Sequence, residues 1–137
     1  HRVALADLLE EAAGQVVADA AIVIASDPDT VRGADVSFLS QARIPDEGLP
    51  QGTLRIAPDL VVEILSPSDR WSDVFDKVTE YLDIGVKEVW VADGAKRLVD
   101  VFAKDRAPQR YANSDVLTSP DILPGFATQV SDFFRNI

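Results

Sequence analysis

The chain has 137 residues, 47% of them hydrophobic and 26% charged, proportions that fit one globular domain around one core. It has no cysteine, which excludes disulfides and thiolate metal sites, and no apolar run nears the roughly 18 to 20 residues that span a bilayer. A net charge of −10 disfavours tight, non-specific binding to a phosphate backbone, while leaving open a carboxylate-rich site that becomes less negative on holding divalent ions.

In chain order, Val3, Leu5, Leu8, Leu9 and Ala12 recur at helical spacing and predict a helix from Arg2 to Ala13, with Gly14 as its stop. Val16 to Ala25 and Val31 to Ser40 read as two strands joined at the Asp27-Pro28-Asp29 turn, a hairpin. Gln41 to Thr53, with Pro45, Gly48, Pro50 and Gly52, reads as a loop. Ala57 to Ser66 is the clearest strand. Nearly continuous apolar residues mean burial on both faces, so helices should cover the sheet. Arg70 to Ile84 predicts an amphipathic helix with Trp71, Val74, Phe75, Val78, Tyr81 and Leu82 near one face and Gly85 at its end. Glu88 to Ala92 is a strand, and Asp93-Gly94 turns into another at Arg97 to Ala103. Short strands at Gln109 to Ala112 and Ala127 to Val130, and a terminal helix starting at Ser131, complete a single mixed α/β domain over residues 1–137. The start at His1, without methionine or an apolar leader, suggests a fragment of a longer protein, and the lack of cysteine fits a cytoplasmic location.

Several chemistries fall away. The single histidine is the first residue, which argues against Ser-His-Asp and histidine–metal sites, and the seven glycines make no phosphate-binding loop. Carboxylates remain. Alternation puts Asp59, Val61, Glu63 and Leu65 on one face of the central strand, where an ionised Glu63 needs either a cation or an Arg or Lys partner. Asp35 interrupts the preceding strand in the same way and can converge with Glu63 if the strands are neighbours. Asp59 lies about 13 Å along the backbone from Glu63, too far for a shared ion, and is expected to cap the strand or order the loop before it. Lys77 sits on the following helix with Asp73 and Tyr81 four residues to either side, so pairing with Asp73 is the plain reading. Trp71 and Trp90 are expected in core or dimer packing rather than base stacking.

The segment Pro58-Asp59-Leu60-Val61-Val62-Glu63-Ile64-Leu65-Ser66-Pro67-Ser68, followed by Asp73, Lys77, Tyr81 and Gly85-Val86-Lys87-Glu88-Val89-Trp90, resembles the bacterial "putative restriction endonuclease" family of the PD-(D/E)XK superfamily. The likeness continues upstream in Ala34-Asp35-Val36-Ser37-Phe38 and downstream in Leu123-Pro124-Gly125-Phe126. It implies a restriction-endonuclease-like fold, with a mixed central sheet and flanking helices. It also implies Mg²⁺ or Mn²⁺ held by Asp35, Glu63 and the Ile64 carbonyl, Lys77 as the catalytic lysine, and phosphodiester hydrolysis in nucleic acid, with DNA expected. There are three departures from the pattern. Ala34 replaces the usual proline before Asp35. Leu65 stands where the superfamily lysine normally lies, which moves that role to Lys77. The family's N-terminal hairpin is not found before the first helix.

Other readings stay open: a catalytically silent binding or assembly module, another metal-dependent phosphodiesterase or nucleotide hydrolase, and a structural protein whose mid-strand carboxylates pair with Arg32, Arg55 or Arg70. A homodimer is a further expectation by analogy with restriction-type nucleases. Nucleic acid would meet a basic rim of Arg32, Arg43, Arg55, Arg70 and Lys77.

Overall fold

A computed structural model describes Leu9, residues 14–50 and residues 52–135. Strands β1 (Gly14–Ala25) and β2 (Thr30–Ser40) form the expected antiparallel hairpin. Gly14, expected as a helix stop, opens β1: a Cβ there would run into the Leu39 carbonyl oxygen and lie 2.7 Å from the Phe38 ring, so only glycine fits this close approach. The helix expected over Arg2 to Ala13 lies outside the described residues except at Leu9, which is helical and buried.

The loop after β2 contains a 3-10 turn at Gln41–Arg43 and the two-residue strand β3 (Thr53–Leu54), which runs parallel to β1. Strand β4 (Leu60–Ile64) pairs antiparallel with β2 and parallel with β5 (Glu88–Asp93). The parallel pair needs a crossover, supplied by helix α1 (Trp71–Asp83). Gly85, at φ 109°, ends that crossover helix: the Val86 N–H bonds back to the Tyr81 carbonyl at 3.1 Å, the pattern of a left-handed C-terminal cap.

Strands β6 (Leu98–Ala103) and β7 (Arg106–Tyr111) continue the sheet antiparallel, giving the order β3-β1-β2-β4-β5-β6-β7. Pro108 sits in the edge strand β7, where a missing donor costs least. A separate pair, β8 (Val116–Thr118) with β9 (Ala127–Gln129), leads into helix α2 (Val130–Arg135). The sequence signals missed β3 and β8.

The sheet is covered on both faces, as the apolar β4 demanded. Leu60, Val62, Trp90, Ala92, Val99 and Val101 face Leu9, Leu117, Leu123 and Phe133. Val61, Val89 and Val91 face Val74, Val78 and Tyr81 of α1. Each large apolar side chain so buried contributes about 1.5–3 kcal/mol. Trp90 is fully buried, as expected. Trp71 is not: it stays 37% exposed at the first position of α1, and Phe75 stays 46% exposed. Among the described residues no helix is long and apolar enough to cross a membrane.

Candidate active site

The register that pairs Val36 with Val62 and Ser37 with Val61 brings Asp35 opposite Glu63 one step further along the same ladder. Both carboxylates open onto a pocket of about 240 Å³ at the C-terminal end of β4, floored by Ile64, Leu65 and Ser66 and walled by Asp73, Val74 and Lys77 of α1. The sequence expected this convergence of Asp35, Glu63, Ile64 and Lys77, and the fold brings all four to one hollow.

Glu63 is 6% exposed. Its Oε1 accepts a hydrogen bond from the Tyr81 hydroxyl at 3.0 Å and an ion pair from Lys77 Nζ at 3.0 Å. Burial nevertheless wins: it pushes the Glu63 carboxyl up to about 7, against the lowering effects of Lys77 and Tyr81, and Asp35 pushes it the same way as burial. Tyr81 is fully buried, and burial together with the neighbouring Glu63 raises its hydroxyl pKa, so it stays a proton donor. The Gly33 carbonyl accepts from Lys77 Nζ at 3.0 Å and faces the Tyr81 hydroxyl at 3.2 Å, which ties α1 to β2 beside Asp35.

Asp35 Oδ2 accepts the Ile64 backbone N–H at 2.7 Å. Within an extended strand, N–H and C=O of one residue point to the same side, so this bond also aims the Ile64 carbonyl toward Asp35. Across from Asp35 on β1, the ladder pairs Ala18 with Val36 and Ala20 with Ala34 but skips Asp19, whose φ of 53° takes it out of the extended region.

The pocket carries four carboxylates, Asp35, Glu63, Asp69 and Asp73, against one ammonium, Lys77. Such a set of hard oxygen donors suits Mg²⁺ or Mn²⁺. Among the described residues no three acidic or histidine side chains gather into a ready-made metal cluster. Mg²⁺ does not need one, since one or two carboxylates with water and substrate phosphate complete its shell. The donors present therefore fit a divalent ion shared with substrate.

Two expectations are corrected here, and one residue was missed. Lys77 pairs with Glu63 rather than Asp73, because α1 leans over β4 and the buried carboxylate draws the ammonium inward. The basic rim does not form. Arg43 is spent at the other end of β4 on the carbonyls of Ala57, Pro58 and Gly85; Arg55 pairs with Asp29; and Arg32 pairs with Glu80. Of the five, only Lys77 lines the pocket. Tyr81 as the holder of Glu63 was not foreseen; its place four residues after Lys77 was the signal, since both then sit on one helix face.

Asp59 serves structure, as its distance from Glu63 predicted. It is 1% exposed, accepts the Ser40 N–H at 2.6 Å, and pairs with Arg43 Nε at 3.2 Å and Lys87 Nζ at 3.3 Å.

Comparison with known proteins follows the same direction. The family that matches residues 3–131 is described as "Putative restriction endonuclease" (Uma2). Among solved structures, the chain superimposes with a TM-score of 0.81 on one titled a putative nuclease belonging to DUF820, from Anabaena variabilis ATCC 29413. That match has 19% sequence identity and covers 97% of this chain and 75% of the other, a likeness of fold. No curated protein matches.

Proposed function

The chain belongs to the family described as "putative restriction endonuclease", and from that premise we propose that it hydrolyses phosphodiester bonds in nucleic acid, with DNA as substrate, using Mg²⁺ or Mn²⁺ held by Asp35, Glu63 and the Ile64 carbonyl. The observation that carries this reading is the buried Glu63 set across from Asp35 with Lys77 reaching onto it. Asp59 is drier still, but its partners hold it below the usual carboxylate range; Glu63 instead stays raised beside a second carboxylate, and that combination supports a functional site.

When bound, the ion supplies Lewis-acid polarisation of a phosphate oxygen and a lowered pKa for a coordinated water. The protein's own residues do the rest. Tyr81 fixes the Glu63 oxygen that faces α1. Lys77 balances the carboxylates in the resting state and orients the attacking water or offsets charge developing on the phosphate.

A catalytically silent module is the second reading, favoured by the same Lys77–Glu63 pair, which already offsets part of the cost of the buried charge without an ion. Calorimetric titration of Mn²⁺ into wild type and Glu63→Ala separates the two. The nuclease reading expects saturable binding in wild type only; binding in neither protein, with or without DNA, would sink it. Because Glu63 must lose its proton to bind, wild-type Mn²⁺ affinity should fall about tenfold for each pH unit below about 7.

Lys77→Met supplies a further expectation. Cleavage should drop on the order of 10²-fold, as when one group stabilising the transition state is removed. Lys77 lowers the Glu63 pKa, so its loss should also move the pH midpoint of Mn²⁺ binding upward. A midpoint that stays put would show that Lys77 does not act on Glu63 in solution.

A further inference from the structure

Next to the candidate pocket lies a second hollow, of about 330 Å³, and the two share Leu65, Ser66 and Asp69. One side of it is Trp71, at the start of α1, and the other is the β5–β6 turn with Lys96. Trp71 is 37% exposed although it is one of the largest apolar side chains in the chain. It is not loose. Its ring lies 5.2 Å from that of Phe75, and Phe75 in turn meets the edge of Phe102 on β6 at 5.7 Å. An exposed indole braced from behind in this way is a preorganised flat surface. Lys96 and Arg70, the residue just before Trp71, are both exposed, and neither has an ion-pair partner among the described residues.

We infer that Trp71 is a stacking platform for an unpaired base, beside the phosphate that enters the Glu63–Lys77 pocket, with Lys96 and Arg70 meeting the neighbouring phosphates. The inference rests on the nucleic-acid reading of the adjoining pocket and narrows it: the substrate presents single-stranded nucleotides at this point, as a single strand, a frayed end or a flap.

Three considerations favour that occupant. An aromatic face takes any base but only an unstacked one, since bases inside a duplex are already covered on both sides. The hollow adjoins the pocket, with three lining residues in common, so successive nucleotides of one strand lie within reach of both. And a protein of net charge −10 whose basic residues are mostly spent internally gains little from backbone attraction, whereas stacking supplies affinity that does not come from charge.

The test uses Trp71 as its own reporter. The chain has two tryptophans, and the other, Trp90, is fully buried, so quenching on binding reports on Trp71. Wild type, Trp71→Ala and Trp71→Phe are titrated against oligodeoxythymidine, an abasic oligomer of equal length and a blunt duplex, each end-labelled, with anisotropy of the label giving the affinity of all three proteins and quenching of Trp71 giving the contact in wild type. Each titration is run in EDTA, and again with Mn²⁺ on oligomers whose phosphodiesters resist cleavage.

Saturable quenching by oligodeoxythymidine is expected, with little by the abasic oligomer or the duplex. Affinity should fall roughly 5- to 150-fold in Trp71→Ala, with Trp71→Phe in between. With two phosphate contacts the salt slope for a single strand should be shallow, about −1.4. Equal affinity for the abasic oligomer, preference for the duplex, indifference to Trp71→Ala, or no binding of any nucleic acid would each overturn the inference. Calorimetry of Mn²⁺ with Trp71→Ala keeps the two readings apart. Unchanged metal binding beside absent stacking removes this platform and leaves the metal site, whereas stacking without metal binding removes the metal site and leaves the platform.

Discussion

Glu63→Gln is expected to make the protein more stable at pH 8 while removing the proposed catalysis. In wild type, burial raises the Glu63 carboxyl from its usual range to about 7, so the folded protein holds a proton there that the unfolded chain has lost. With more protons bound in the folded state, stability falls as pH rises. This contribution is fully present below the unfolded value near 4.5 and is lost as pH climbs through about 7. At pH 8 the ionised carboxylate therefore strains the fold, and glutamine, nearly the same shape, does not. The gain should be about 1–3 kcal/mol at pH 8 and near zero at pH 4. Lys77, 27% exposed, loses its partner but can turn toward water, which keeps that cost small. In the proposed mechanism the same substitution removes an anionic ion ligand, and several kcal/mol of transition-state stabilisation go with it, on the order of 10³-fold or more in rate. Urea unfolding at the two pH values, read beside plasmid cleavage in Mn²⁺, checks both halves. A variant that is less stable at pH 8 than wild type would mean that the Lys77–Glu63 pair outweighs the desolvation of the carboxylate.

The cost of burying Glu63 is also why the candidate site was legible in the sequence. A glutamate in an otherwise aliphatic strand violates the burial pattern, and such a violation persists only where something compensates it. Asp35 showed the same signature, and strand adjacency then brought the two together. Lys77 was different: nothing local distinguished it from a surface lysine of α1, and its place followed from the family resemblance. The structure explains why, since its partners Glu63 and Gly33 come from two other strands. The strand missed at Thr53–Leu54 has two residues and exists through pairing with β1, a contact no local pattern encodes. Val116–Thr118 is equally short and depends on β9.

Trp71 lies outside the core for a geometric reason. On a helical wheel it belongs to the apolar stripe, but it opens α1, where the residues that meet the sheet are Val74, Val78 and Tyr81 one to three turns later. Periodicity assigns a face without saying how far the covering layer extends. The basic rim failed through a similar blindness. Counting Arg and Lys near the site segments took no account of backbone carbonyls as competitors, and Arg43 alone answers three of them. The resulting pocket is acidic, and in the proposed function a divalent cation would bridge it to a phosphate.

At the opposite end of β4, Asp59→Ala is expected to give the largest stability loss of any carboxylate substitution away from the pocket. Asp59 joins four segments: its side chain holds the Ser40 N–H, Arg43 and Lys87, its backbone N–H bonds to the Phe38 carbonyl, and its carbonyl accepts from Lys87 and Glu88. Burial alone would raise its pKa, but the Ser40 N–H, Arg43 and Lys87 together outweigh burial and hold it below the usual value. The sign is opposite to that of Glu63. Stability from Asp59 is present above the ordinary carboxylate range and is lost as pH falls through the lowered folded value. Alanine leaves the half-buried Ser40 N–H without its acceptor and Arg43, only 25% exposed, without its counter-ion; Lys87, 52% exposed, escapes to water. The cost should be about 2–4 kcal/mol at neutral pH. Asparagine, which keeps the Ser40 bond and loses the charge, should cost about half as much. Unfolding midpoints at pH 7 and pH 3 check this, because the gap between wild type and Asp59→Ala should narrow as acid removes what the substitution removes. A gap that is independent of pH would assign the loss to the cavity and the orphaned N–H alone, with the ion pairs contributing nothing.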